Sequence, residues 1–145
     1  MTSVDPLAKH RAREAALQML YQCEVGRADP LESITSYWPS RDADEALPER
    51  LREFANGVVR GTVDRREEID GMLTAHAQNW RVERMTVIDR IVLRMAVYEM
   101  LAEADTPSKV IINEAIELAR SFSGDEAVGF VNGVLDAVRK DLRRS

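Results

Sequence analysis

Apolar residues recur along almost the whole chain at three- and four-residue spacing, and no stretch keeps the alternation of a half-buried strand. Residues 7–25 place Ala12, Ala16, Met19, Leu20 and Cys23 on one stripe, which predicts a first helix. Asp29-Pro30 reads as an N-cap followed by proline at the first helical position, opening a short helix over 30–38 that ends before Pro39. The polar run 39–47 predicts a loop. Pro48 opens the next helix, with Leu51, Phe54, Ala55, Val58 and Val59 at helical spacing. Gly57 and Gly61 point to a close helix approach or a kink around 60–62, before a helical run over 63–79.

The second half is written more plainly. Residues 84–103 carry Val87, Ile88, Ile91, Val92, Met95 and Tyr98 with charged residues between them. Asp105-Thr106-Pro107 stops that helix and starts another, from about Ser108 to Ser123, which carries Val110, Ile111, Ala115, Leu118, Ala119 and Phe122. Val110-Ile111-Ile112 alone would suit a strand, but the stripe continues through Phe122 and favours helix. Ser123-Gly124-Asp125 is a turn, and 125–142 forms the last helix. The expectation is an all-α fold of about seven helices in two packed bundles, residues 1–80 and 81–145, making one compact domain overall.

Composition leaves this picture standing: 45% hydrophobic and 31% charged residues is an ordinary globular mix. No apolar run approaches the roughly 18 to 20 residues of a membrane span. The start, MTSVDPLAKHR, lacks the apolar core of a secretory signal. A single cysteine, Cys23, excludes an internal disulfide framework, so a cytoplasmic location without membrane association is expected.

Charge changes the picture more. A formal net charge of −5 argues on its face against a nucleic-acid partner. Residues 28–70, however, hold eleven acidic side chains against six arginines, and that stretch accounts for the whole imbalance. The start, Lys9-His10-Arg11-Ala12-Arg13, and the end, Arg139-Lys140-Asp141-Leu142-Arg143-Arg144, are basic, so a local phosphate-binding patch remains open.

Catalytic chemistry has little to work with. Two separate histidines and one cysteine make no metal cluster, and neither a paired-cysteine motif nor a phosphate-cradling glycine loop occurs. Gly129 and Gly133, four apart inside a predicted helix, read as small residues permitting close helix packing. Asp125-Glu126 sits where the helix dipole alone explains carboxylates. No catalytic residue, metal or cofactor is expected, and the chain does not read as an enzyme.

The first helix carries the informative pattern. At about 100° per residue, Tyr21 falls nearly opposite the core stripe, on a face with His10, Glu14 and Leu17. Lys9 and Arg13 lie one turn apart on the flank, and Arg11 lies near the polar side. Cations for phosphates beside a ring for stacking bases suit single-stranded RNA. From geometry alone, a solvated, charged helix end with Tyr21 packed on another helix suits the same residues better.

Two stretches resemble the NusB family of transcription antitermination factors: VIDRIVLRMAVYE over 87–99 and VIINEAIELARSFSGDEAVGFVNGVLD over 110–136. The first is similar to the family's acidic-basic-x-x-L-R-x-A-x-Y-E helix. The second is similar to its I-N-E-A-x-E-L-A and F-V-N-G-V-L pair of helices. Arg11 to Glu14 and Leu20-Tyr21 match its opening helix, while 28–60 matches weakly. The resemblance implies a NusB-like all-α fold and no catalysis. It implies pairing with NusE, a small ribosomal subunit protein, and joint binding of boxA in nascent ribosomal RNA within the RNA polymerase antitermination complex. Carried over by residue, the RNA contacts would be Lys9, His10, Arg11, Arg13 and Tyr21, joined by His76 and Phe122. Asp89 and Glu126 would meet the basic protein partner. A homodimer burying the exposed first-helix face would mask the RNA site until the partner arrives. Two rivals remain: a helical protein-protein adaptor that binds no RNA, and an RNA-modifying enzyme, which would need a cofactor domain that 145 residues leave no room for.

Overall fold

The computed structural model describes residues 6–41, 47–77 and 85–145. Among them lie seven α-helices and one 3-10 turn: α1 (Pro6–Val25), α2 (Pro30–Tyr37), the turn Trp38–Ser40, α3 (Glu49–Asp64), α4 (Arg66–His76), α5 (Val87–Ala102), α6 (Ser108–Phe122) and α7 (Ala127–Asp141). The described residues contain no strand, as the apolar spacing predicts. Residues 1–5, most of the expected 39–47 loop (42–46) and the junction 78–84 lie outside the described residues. The contacts divide the chain into two units between Val63 and Asp64. That is earlier than the position near 80 suggested by the sequence, because α4 packs on α5 and α7.

In the first unit, α1 packs along α2. Asp29 caps α2, its Oδ2 accepting from the Leu31 N–H at 3.1 Å, and Pro30 follows at the first helical position. Gly26 is required by crowding, since a Cβ there would lie 2.8 Å from the Gln22 carbonyl oxygen. Gly57 has no such reason: a Cβ would meet nothing within 4 Å. The helix break falls not at 60–62 but at Arg65, whose φ of −104° and ψ of 18° separate α3 from α4. The Tyr37 hydroxyl donates to Gln18 Oε1 at 2.6 Å, tying α2 to α1. Trp38 Nε1 donates to Asn56 Oδ1 at 2.9 Å and ties the 3-10 turn to α3.

The second unit is organised around α5, which is buried from Ile91 to Val97 and again at Glu99 and Met100. Thr86 caps it, Oγ1 accepting from the Asp89 N–H at 3.2 Å. Arg94 is 6% exposed, and its charge is met by Asp70 of α4 through Nε–Oδ1 at 2.7 Å and Nη2–Oδ2 at 2.8 Å. A two-point pair of this kind is what makes a buried guanidinium tolerable. The basic C-terminus is partly spent inside the fold. Arg144 donates to Ser108 Oγ at 2.8 Å and to the carbonyl oxygens of Met100, Glu103 and Thr106, closing the α5–α6 connection. Gly129 and Gly133 are exposed, and a Cβ at either would meet nothing within 4 Å, so close helix packing does not explain them.

Candidate nucleic-acid and partner interfaces

The four basic residues at the start of α1 point in three directions. Lys9 Nζ lies 4.8 Å from the centroid of the Phe54 ring, and the Arg13 guanidinium lies 5.4 Å from the same centroid. Arg13 is only 2% exposed, which corrects its expected role as a phosphate contact. Its charge faces an aromatic ring in the first unit's interior. His10 Nε2 lies 2.9 Å from Glu14 Oε1. Arg11 alone of the four is exposed, and it forms no ion pair among the described residues.

Leu17, expected beside Tyr21, is 1% exposed instead. Between Ala12 and Leu20 only Glu14 and Gln18 escape burial. With Arg11, Tyr21, Gln22 and Val25 they form one open strip, an arc of about 100° at the helical step. Tyr21 is 42% exposed on that strip, as the sequence predicts. Beside it lies a small depression of about 190 Å³, bounded by Arg11, Glu14 and Gln18 on α1 and by Tyr37, Trp38 and Arg41 across from them. Trp38 and Arg41 escape sequence reasoning because the stretch reads only as a helix end and a polar loop. The signal present was an arginine three residues after a tryptophan.

In the second unit, Asp89 and Glu126 come together. Both line a depression of about 390 Å³ with Met85, Thr86 and Phe130. Asp89 Oδ1 is buried and accepts no hydrogen bond from the described residues. A desolvated carboxylate oxygen next to an exposed one is an acceptor set suited to a cationic side chain. Phe130 was missed, although it is the phenylalanine of the Phe-Val-Asn-Gly run and lies one turn beyond Glu126. Phe122, expected as an RNA contact, is 40% exposed at the last turn of α6 and lines neither depression. His76 Nε2 lies 3.3 Å from Asp141 Oδ2, and His76 borders a separate depression of about 340 Å³ with Gly129, Phe130 and Gly133. His76 and Phe122 thus share none of these three depressions.

Titratable groups elsewhere behave structurally. Hydrogen bonds from Arg139, then Lys140, hold the Asp136 carboxyl below the usual carboxylate range. Burial, reinforced by Glu103, raises the Tyr98 phenol. Among the described residues no three His, Cys, Asp or Glu side chains gather as metal ligands, and no helix is long and apolar enough to cross a membrane.

Comparison with known proteins gives a concordant result. The sequence model of the NusB family matches residues 10–140. A transcription antitermination protein NusB from Solibacter usitatus is 47% identical over 93% of this chain and 90% of its own length. The solved NusB of T. maritima is 32% identical, with a TM-score of 0.81 over 97% of this chain and 94% of that one. A further chain, from the crystal structure of antitermination factors NusB and NusE in complex with dsRNA, shares the fold. It has a TM-score of 0.82 and 24% identity over 92% of this chain and 97% of that one.

Proposed function

The chain belongs to the NusB family, and from that premise we propose that it is a non-catalytic, cytoplasmic antitermination factor working by two separate surfaces. The open strip of α1, with Arg11 and Tyr21 and with Lys9 and His10 at its start, binds single-stranded boxA RNA. The depression holding Asp89, Glu126 and Phe130 receives a basic side chain of the protein partner, NusE. Joint occupation ties nascent RNA to the transcription machinery, and no bond is made or broken.

One observation carries this reading: charge is sorted between two depressions in a chain whose formal net charge is −5. Two arginines and two aromatic rings border one, with a single carboxylate, Glu14, and two carboxylates border the other. Guanidinium groups supply phosphate contacts and rings supply sequence-tolerant stacking. Carboxylates with an adjacent ring suit the charged head and apolar stem of lysine or arginine.

Fluorescence anisotropy with a boxA-containing RNA and a scrambled control, with and without NusE, tests the proposal. Preferential boxA binding that tightens with NusE is expected. In the same experiment Glu126→Arg should weaken NusE about tenfold by charge reversal and leave RNA binding by the free protein unchanged. No preference for boxA with NusE bound would leave a protein-protein adaptor. An unchanged NusE affinity in Glu126→Arg would remove the acidic depression from the interface.

A further inference from the structure

We propose that the depression beside the middle of α1 is a nucleotide subsite for single-stranded RNA, with Arg41 taking a phosphate and Trp38 forming the wall for a base. The proposal rests on the RNA-binding reading above and extends it to residues that no resemblance singled out. Arg11, Glu14 and Gln18 occupy successive turns of the open strip and form one side of the depression. Tyr21 stands ten residues beyond Arg11, about 15 Å further along the axis. A strand held at both ends of the strip therefore crosses the depression on its way.

The opposite side is fixed before any ligand arrives. Tyr37 is anchored to α1 through Gln18, and Trp38 to α3 through Asn56. The two rings meet edge to face, 4.9 Å apart at 87°. The Arg41 guanidinium lies 4.7 Å from the Tyr37 ring centroid, so its charge rests on this platform. A preorganised guanidinium loses less freedom on binding an anion than a free one.

Electrostatics select the occupant. Neither Arg11 nor Arg41 forms an ion pair among the described residues, and the one carboxylate on the rim, Glu14, already lies against His10. Two guanidinium groups without a carboxylate partner among the described residues, lining one depression with aromatic rings, suit a phosphate and its base. The volume of about 190 Å³ suits one base rather than a partner helix.

The test is anisotropy with labelled boxA-containing RNA in the presence of NusE, followed through a salt series. Arg41→Ala is expected to weaken RNA about tenfold, the effect of losing one charge-assisted contact. It should flatten the salt slope by about 0.7 and leave NusE affinity unchanged. Wild-type binding with unaltered affinity and slope in Arg41→Ala would overturn the subsite while the RNA-binding reading stands. Weakened NusE binding in Arg41→Ala would also overturn it, as the depression would then serve the protein. Wild-type protein without RNA preference would bring down the RNA-binding reading, and the subsite with it.

Discussion

The two depressions are assembled from similar parts and carry opposite charge. Each sets a pair of charged side chains from different elements beside an aromatic ring: Arg11 and Arg41 with Trp38, Asp89 and Glu126 with Phe130. They differ in what holds those parts still. In the first unit aromatic side chains are pinned by hydrogen bonds to neighbouring helices, through Tyr37 to Gln18 and Trp38 to Asn56. In the second unit the acids sit at helix starts, Asp89 just inside the Thr86 cap of α5 and Glu126 at the N-cap of α7. Carboxylates gain from the positive end of a helix wherever they stand there. Guanidinium groups have no such support in the first unit, and the ring platform takes its place. A net charge averages these two surfaces and describes neither.

The comparison breaks most sharply if the second unit loses its internal ion pair. Asp70→Ala leaves Arg94 buried without the carboxylate that meets it at two points, and a loss of about 3 kcal/mol in urea denaturation is expected. An unchanged midpoint would mean that Arg94 is satisfied elsewhere and that the pair does not hold α4 to α5.

A smaller effect sharpens the distinction inside α1. Arg13→Met should cost about 1 to 2 kcal/mol, because a buried cation and its ring contact are lost from the interior, while RNA affinity is kept. Arg11→Ala should do the reverse, weakening RNA with stability within about 0.5 kcal/mol. Equal loss of RNA binding in both variants would return Arg13 to the surface patch.

The smallest expected effects compare the caps. Asp29→Ala in the first unit and Thr86→Ala in the second each remove one side-chain acceptor, at about 1 kcal/mol by thermal denaturation. Thr86→Ala should also lower NusE affinity, since Asp89 depends on that cap for its position. A stability loss without an affinity loss would separate the cap from the acidic depression.

Helix identity was legible because each element repeats the 3.6-residue period, and Asp29-Pro30 announces a helix start without help from the rest of the fold. The break between α3 and α4 was less so: Gly57 and Gly61 drew attention upstream, whereas the chain turns at Arg65, an ordinary surface residue. Tyr21 could be placed by helical stepping because its surroundings are open. Arg13 could not, since the stepping locates it on a flank and only Phe54, forty residues on in another helix, decides that the flank is buried. The acidic depression was half legible. Family resemblance supplied Asp89 and Glu126, but the aromatic that joins them is Phe130, and finding it requires knowing which turn of α7 faces Asp89.

The grip of Arg144 sets an order of events during synthesis. The Met100 carbonyl of α5 accepts from Arg144, forty-four positions downstream, whereas the Glu103 carbonyl also accepts from the Thr106 N–H at 3.1 Å. Until residue 144 has left the ribosome, the Met100 carbonyl is left to water. The aromatic anchors of the first unit close over shorter spans, since Tyr37 and Trp38 find their partners within nineteen residues. The parts of the arginine-lined depression and its anchors are all made by residue 56, well before the Met100 carbonyl meets Arg144.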